Sequence, residues 1–207
     1  MSYQHNTEWS GQGVTPTVII SFRAGDAEAS AALIERELSR RFGSEKIFRV
    51  DRSVLAGDDI ETIMGVVRRS RALVAAIGQR WLTATDGNGR RAIDSAQDWL
   101  RREIVEAHDH GVRVIPVLIG KIPRLTASDV PPAMEWLPDC KYLRLSYRDI
   151  DAGLARLADE LAGLVPGLDA GTRREPAPAT GSESQSLTAG SGTAGSGTAR
   201  SGPAGSG

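Results

Sequence analysis

The sequence predicts an α/β fold: a five-stranded parallel sheet in the order 2-1-3-4-5, with helices on both faces, a three-layer flavodoxin-like sandwich. Two observations predict it. Short apolar runs alternate with amphipathic helical stretches across residues 14–166, as they do where strand and helix recur in turn and the strands lie parallel. There are five such runs, and right-handed crossovers between five parallel strands favour that order.

Each element has its own justification. Val18–Phe22 reads as a buried strand running into the polar loop Arg23–Asp26. A helix over about Ala29–Phe42 carries Leu33, Ile34 and Leu38 on one stripe and stops at Gly43. Lys46–Val50 is the second strand, followed by the loop Asp51–Asp58 and a helix through Ile60, Ile63, Met64 and Val67. Ala72–Ile77 is the third strand, bounded by Gly78. After the turn Asp86-Gly87-Asn88-Gly89, a helix is expected over Ala96–Asp109, started by Ser95 with Asp98 three residues on and ended by Gly111. Val112–Ile119 and Tyr142–Leu145 are the fourth and fifth strands. The last helix, Ile150–Leu164, turns Leu154, Leu157, Ala158 and Leu161 inward. Residues 1–13 and 167–207 are expected to be disordered. From Gly171 onward almost every residue is Gly, Ser, Thr, Ala or Pro, with the pentad AGSGT at 189–193 and 194–198, too little apolar surface to offset its ordering entropy.

Composition narrows the function. With 25 Lys and Arg against 26 Asp and Glu, the net charge is −1, and no basic excess marks a nucleic-acid binder or a polybasic membrane binder. No apolar run is long enough to span a bilayer, and the polar first residues lack a secretory pattern. A cytoplasmic protein is expected. One cysteine, Cys140, supports neither an internal disulfide nor a cysteine-type zinc site. His108 and His110 stand two apart, the wrong spacing for one metal, so no metal is expected. No GxxxxGK[ST] run follows a strand, and the third strand ends in Gly78-Gln79 where a phosphoryl-accepting receiver needs an acid.

In a sheet of this order, ligands sit beyond the carboxyl ends of the strands, beside the first and third. Near that rim, Trp99 and Glu103 share a helix face four residues apart. An indole beside a carboxylate suits an aromatic cation, by stacking and by negative charge. The same spacing equally describes a surface glutamate paired with a neighbouring arginine beside a half-buried tryptophan.

Five ordered blocks go further: Val18-Ile19-Ile20-Ser21-Phe22-Arg23, Val54-Leu55-Ala56-Gly57-Asp58-Asp59, Ala76-Ile77-Gly78-Gln79-Arg80-Trp81-Leu82, Asp98-Trp99-Leu100-Arg101-Arg102-Glu103-Ile104 and Arg113-Val114-Ile115-Pro116-Val117-Leu118. Together they resemble a TIR (Toll/interleukin-1 receptor homology) domain of the bacterial type over about residues 14–165. Many TIR domains are NAD+ glycohydrolases, and the resemblance implies Glu103 as the catalytic carboxylate. It further implies Ser21, Phe22, Arg23, Asp51 and Trp99 as substrate contacts, Arg23 toward the pyrophosphate. NAD+ is then a substrate and no cofactor is expected. Homotypic TIR–TIR association is implied as the switch, and antiphage defence or signalling as the setting. A non-catalytic interaction scaffold and a nucleotide sensor are the alternatives. The chain departs from the family pattern at Ala24, where a second arginine is frequent, and at Leu55, where an acid is common; Asp51 comes one position late. Glu103 is expected to be exposed, so that its replacement by alanine costs little stability.

Overall fold

The structure, a computed structural model, describes residues 17–49 and 60–168. They lie in the first of the chain's two units, Met1–Arg173; the second, Arg174–Gly207, is outside the described residues. So are residues 1–13, the loop Asp51–Asp58 with its expected contact Asp51, and the tail from residue 169.

Five strands form one parallel sheet in the order β2-β1-β3-β4-β5: β1 Val18–Phe22, β2 Ile47–Arg49, β3 Ala72–Ile77, β4 Arg113–Ile119 and β5 Leu143–Leu145. The predicted order is the observed one. β1 and β3, which pair from Val18 opposite Ala72 to Phe22 opposite Ala76, are buried along their whole length. That is the signature of strands covered on both faces.

Alternation along these strands feeds two cores. Val18, Ile20 and Phe22 join Val74, Ala76, Val117 and Ile119 against α1 (Glu28–Phe42) and α4 (Ile150–Leu164). Ile19 joins Leu73, Ala75, Ile77 and Leu118 against α2 (Ile60–Arg69) and α3 (Trp99–Asp109). Ser21 has the parity of Ile19 and so faces α3, a consequence of the two-residue period of a strand. Leu168 is also fully buried in the first core, so packed chain continues two residues past Pro166.

The link from β4 to β5 contains no α-helix. Three single 3₁₀ turns, Ala127–Asp129, Pro132–Met134 and Leu137–Asp139, carry Leu125, Val130, Met134 and Leu137 onto the second core. Pro123, Pro131, Pro132 and Pro138 explain the substitution, since each removes a backbone donor and disfavours a helical residue before it.

At the carboxyl ends of β1 and β3 the two loops are clasped. The Asp26 carboxylate accepts the Arg80 backbone N–H at 2.8 Å. A Cβ at Gly78 would stand 2.3 Å from that carboxylate. The short Asp26 side chain is held by its bond, so it has little room to yield. Gly78→Ala is therefore expected to lower stability by about 1–3 kcal/mol, an overpacking cost. Combining it with Asp26→Ala should cost less than the two single losses added, as read from urea unfolding midpoints.

Candidate functional site

The site grows from one strand end and one helix start. Asp98 is the N-cap of α3: its Oδ1 accepts the Arg101 backbone N–H at 3.0 Å. The helix therefore begins at Trp99 rather than at Ala96. Ser95 belongs to the preceding turn, where its hydroxyl accepts from the Gln97 backbone at 3.2 Å. The carboxylate next to the apolar run takes the capping role in place of Ser95.

That cap fixes the direction in which the helix projects Glu103. From β1, the Ser21 hydroxyl donates to Glu103 Oε2, joining two groups that are 82 residues apart. Both are buried; Glu103 is 1 % exposed and Ser21 fully enclosed. The expectation of an exposed Glu103 is thus corrected. The inward parity of Ser21 and the roughly 1.4 turns of helix from the Asp98 cap to Glu103 bring the carboxylate under the strand end instead of into water.

Arg23, two residues beyond Ser21 and on the same side, is engaged by the same helix start. Its Nη1 donates to Asp98 Oδ2 at 2.9 Å and its Nη2 to Oδ1 at 3.1 Å, with Arg23 only 6 % exposed. Its Nε is buried without a hydrogen-bond partner among the described residues. Asp98 accordingly satisfies a helix terminus and a buried guanidinium together, a charge-assisted bidentate pair of the strong kind. The sequence pattern presents Asp98 only as the acid of a capping box; its pairing with Arg23 has no local signature, and its place just before the apolar run is the one signal of its capping role.

The other expected contacts divide. Trp99 is half-buried in the first turn of α3, with the Arg102 guanidinium 5.8 Å from its ring centre and its indole N–H shielded and unpartnered among the described residues. Phe22 lies on the opposite side of the sheet from Glu103, in the core formed with α1 and α4, beneath the Arg49 guanidinium at 5.8 Å. The structure therefore gathers Ser21, Arg23, Asp98, Trp99 and Glu103 at one rim and leaves Phe22 out. Trp81 is fully buried and packs in the second core.

Outside the site, His108 stacks on Trp136 with ring centres 3.7 Å apart. Among the described residues no group of three or more His, Cys, Asp or Glu side chains is placed to hold a metal, and no helix is long and apolar enough to cross a membrane. Cys140 is half-buried, its thiol directed at the Trp136 carbonyl at 3.8 Å. Burial, with the nearby Asp139 charge second, pushes its pKa up and keeps it protonated. Its reaction with a disulfide reagent at pH 8 should be several-fold slower than in the urea-unfolded chain, followed by absorbance.

No family model matches the chain, and no curated protein matches it. Among solved structures it is similar to the TIR domains of the activated Roq1 resistosome directly recognizing the pathogen effector XopQ, at 15% identity and TM-score 0.49, over 70% of this chain and 98% of that one. It is also similar to a metazoan TIR-STING receptor from C. gigas in complex with 2′,3′-cGAMP, at 18% identity and TM-score 0.45, over 69% of this chain and 39% of that one.

Proposed function

We propose that the chain is a TIR-type NAD+ glycohydrolase with Glu103 as its catalytic carboxylate. One observation carries the reading: the Ser21 hydroxyl holds Glu103 at the carboxyl-end rim of β1, where a doubly wound sheet binds its ligands. In the reaction the bond between nicotinamide and ribose C1′ breaks, and its electron pair leaves with nicotinamide. The nicotinamide ring of NAD+ is already positive, so it departs neutral and needs no general acid. Water adds at C1′ and loses a proton, giving ADP-ribose; capture by an internal nucleophile gives a cyclic isomer. The group to be stabilised is an oxocarbenium-like ribose. A carboxylate withdrawn from water does this better than an exposed one, because its field is less screened.

Trp99 offers its ring face to the nicotinamide, and Ser21 orients Glu103. Arg23 reaches a pyrophosphate only by exchanging Asp98 for it, one anion for another. Such an exchange gives self-association a role, since a neighbouring copy that favours the open rim raises the active fraction. Nicotinamide release by the full chain is then expected to rise faster than in proportion to protein concentration. Strict proportionality from the lowest concentration upward would remove the requirement for assembly.

A second reading rests on the same burial. With Glu103 enclosed and Arg23 held by Asp98, the rim also suits a scaffold that binds other TIR domains or a sensor that binds a nucleotide without cleaving it. Binding of NAD+ with no nicotinamide released selects the sensor, and the absence of both selects the scaffold.

A further inference from the structure

At the amino ends of the strands, the rim opposite Glu103, a groove of about 440 Å³ crosses the starts of β3 and β4. Its lining brings together Arg68, Arg69, Arg71, Arg113 and His110 with Val112 and Val165, and no carboxylate among the described residues lines it. For a chain of net charge −1, that is a strong local concentration of cations.

These cations are not equally committed. Arg68 is bonded to Glu61 and Glu106, and His110 Nδ1 lies 2.9 Å from the Glu106 carbonyl oxygen. Arg69, Arg71 and Arg113 are exposed and form no ion pair among the described residues. Helix ends account for part of the cluster. α2, α3 and α4 all end here, and each terminus carries about half a negative charge that suits a cation in its last turn. That explains Arg68 and Arg69. It does not explain Arg71 and Arg113, which stand at strand starts, outside any helix. Three helix ends together also supply roughly one and a half negative charges, fewer than the three uncommitted guanidiniums.

Nor does local structure use these side chains. The Arg71 backbone N–H donates to the Thr17 carbonyl at 2.9 Å and that of Arg113 to the Arg71 carbonyl at 3.3 Å, leaving both guanidiniums clear of the sheet's own bonding. By strand alternation Arg71 leans toward α2 and α3 and Arg113 toward α4, so the two flank the groove from opposite sides of the sheet edge. The geometry points to this groove as a binding site for a phosphorylated anion of nucleotide size, separate from the NAD+ rim. Guanidiniums match phosphate oxygens in pairs of hydrogen bonds. The volume lies within the range of small-molecule sites and far exceeds a single phosphate, and Val112, Val165 and the His110 ring are among the lining residues a base would meet.

The test uses the full chain with ATP, inorganic triphosphate and adenosine as probes, by titration calorimetry at low salt. ATP and triphosphate should bind and adenosine should not. The double substitution Arg71→Glu with Arg113→Glu should weaken both by about tenfold or more, because two attractive contacts become repulsive. Arg71→Gln with Arg113→Gln should show a smaller loss in the same direction, and serves if charge reversal disturbs folding. Nicotinamide release by these variants should stay at the wild-type rate, so failure at this groove and failure at Glu103 are read separately. No ATP binding by the wild type, equal binding by the charge-reversed variant, or adenosine binding as strong as ATP each overturns the site.

Discussion

Glu103→Gln should abolish nicotinamide release from NAD+ while the protein stays folded. Glutamine has the shape of glutamate and keeps a side-chain carbonyl to accept the Ser21 hydroxyl, the contact that holds residue 103 in place. What disappears is the charge. If that charge stabilises an oxocarbenium-like ribose, its loss costs about a hundred- to a thousand-fold in turnover, the usual scale for removing one placed electrostatic partner. Glu103→Ala should lose turnover equally and lose stability as well. It leaves the enclosed Ser21 hydroxyl without an acceptor, a penalty of about 1–3 kcal/mol. The pair of variants thus separates chemistry from folding, read by chromatographic assay of nicotinamide and by urea unfolding. A glutamine variant that turns over NAD+ at the wild-type rate would sink the catalytic assignment.

The contrast between the two variants was not visible in the sequence, and the reason is physical. The Trp99–Glu103 spacing reports a shared helix face. Whether that face meets water or a strand depends on the direction in which the helix leaves its cap, and Ser21 and Glu103 are 82 residues apart. The strands β1 and β3 were legible to the residue, because a strand covered on both faces is a nearly continuous apolar run, broken in β1 only by Ser21, and its ends are marked by polar residues or glycine. α4 was legible for a related reason: Leu154, Leu157, Ala158 and Leu161 repeat at the helical period and all four are buried. The start of α3 was ambiguous because Ser95 and Asp98 both satisfy the local rule for a cap. The segment between β4 and β5 has no periodicity to read, since prolines divide it into single turns that pack through isolated residues such as Met134. Arg23 was recognisable as a chemically useful residue, but its buried partner was not, for an ion pair between a loop and a distant helix start leaves no local pattern.

That partner is where stability is most exposed to a single substitution. Asp98→Ala should cost about 4 kcal/mol, from two losses with different origins. Removing an N-cap carboxylate costs about 1 kcal/mol, as the Arg101 backbone N–H loses its acceptor. Stranding a buried guanidinium costs more, about 3–5 kcal/mol, since Arg23 is left desolvated with nothing to balance it. The two do not add in full, because Arg23 can turn toward solvent at the rim once released. Against a total stability of about 5–15 kcal/mol for a domain of ordinary size, this is a large share. Asp98→Asn separates the two effects. Its side-chain oxygen still caps α3 and still accepts one guanidinium bond, so only the charge is lost and the fall is smaller. Arg23→Met combined with Asp98→Asn should then recover stability over Asp98→Asn alone, because a buried charge without its counter-charge is worse than an apolar side chain of similar length. Urea unfolding midpoints for the wild type, the two single variants and the double variant complete the cycle. A coupling of zero would mean that Arg23 is held by the packing around it and not by Asp98, and the exchange of Asp98 for a pyrophosphate at this rim would lose its physical basis.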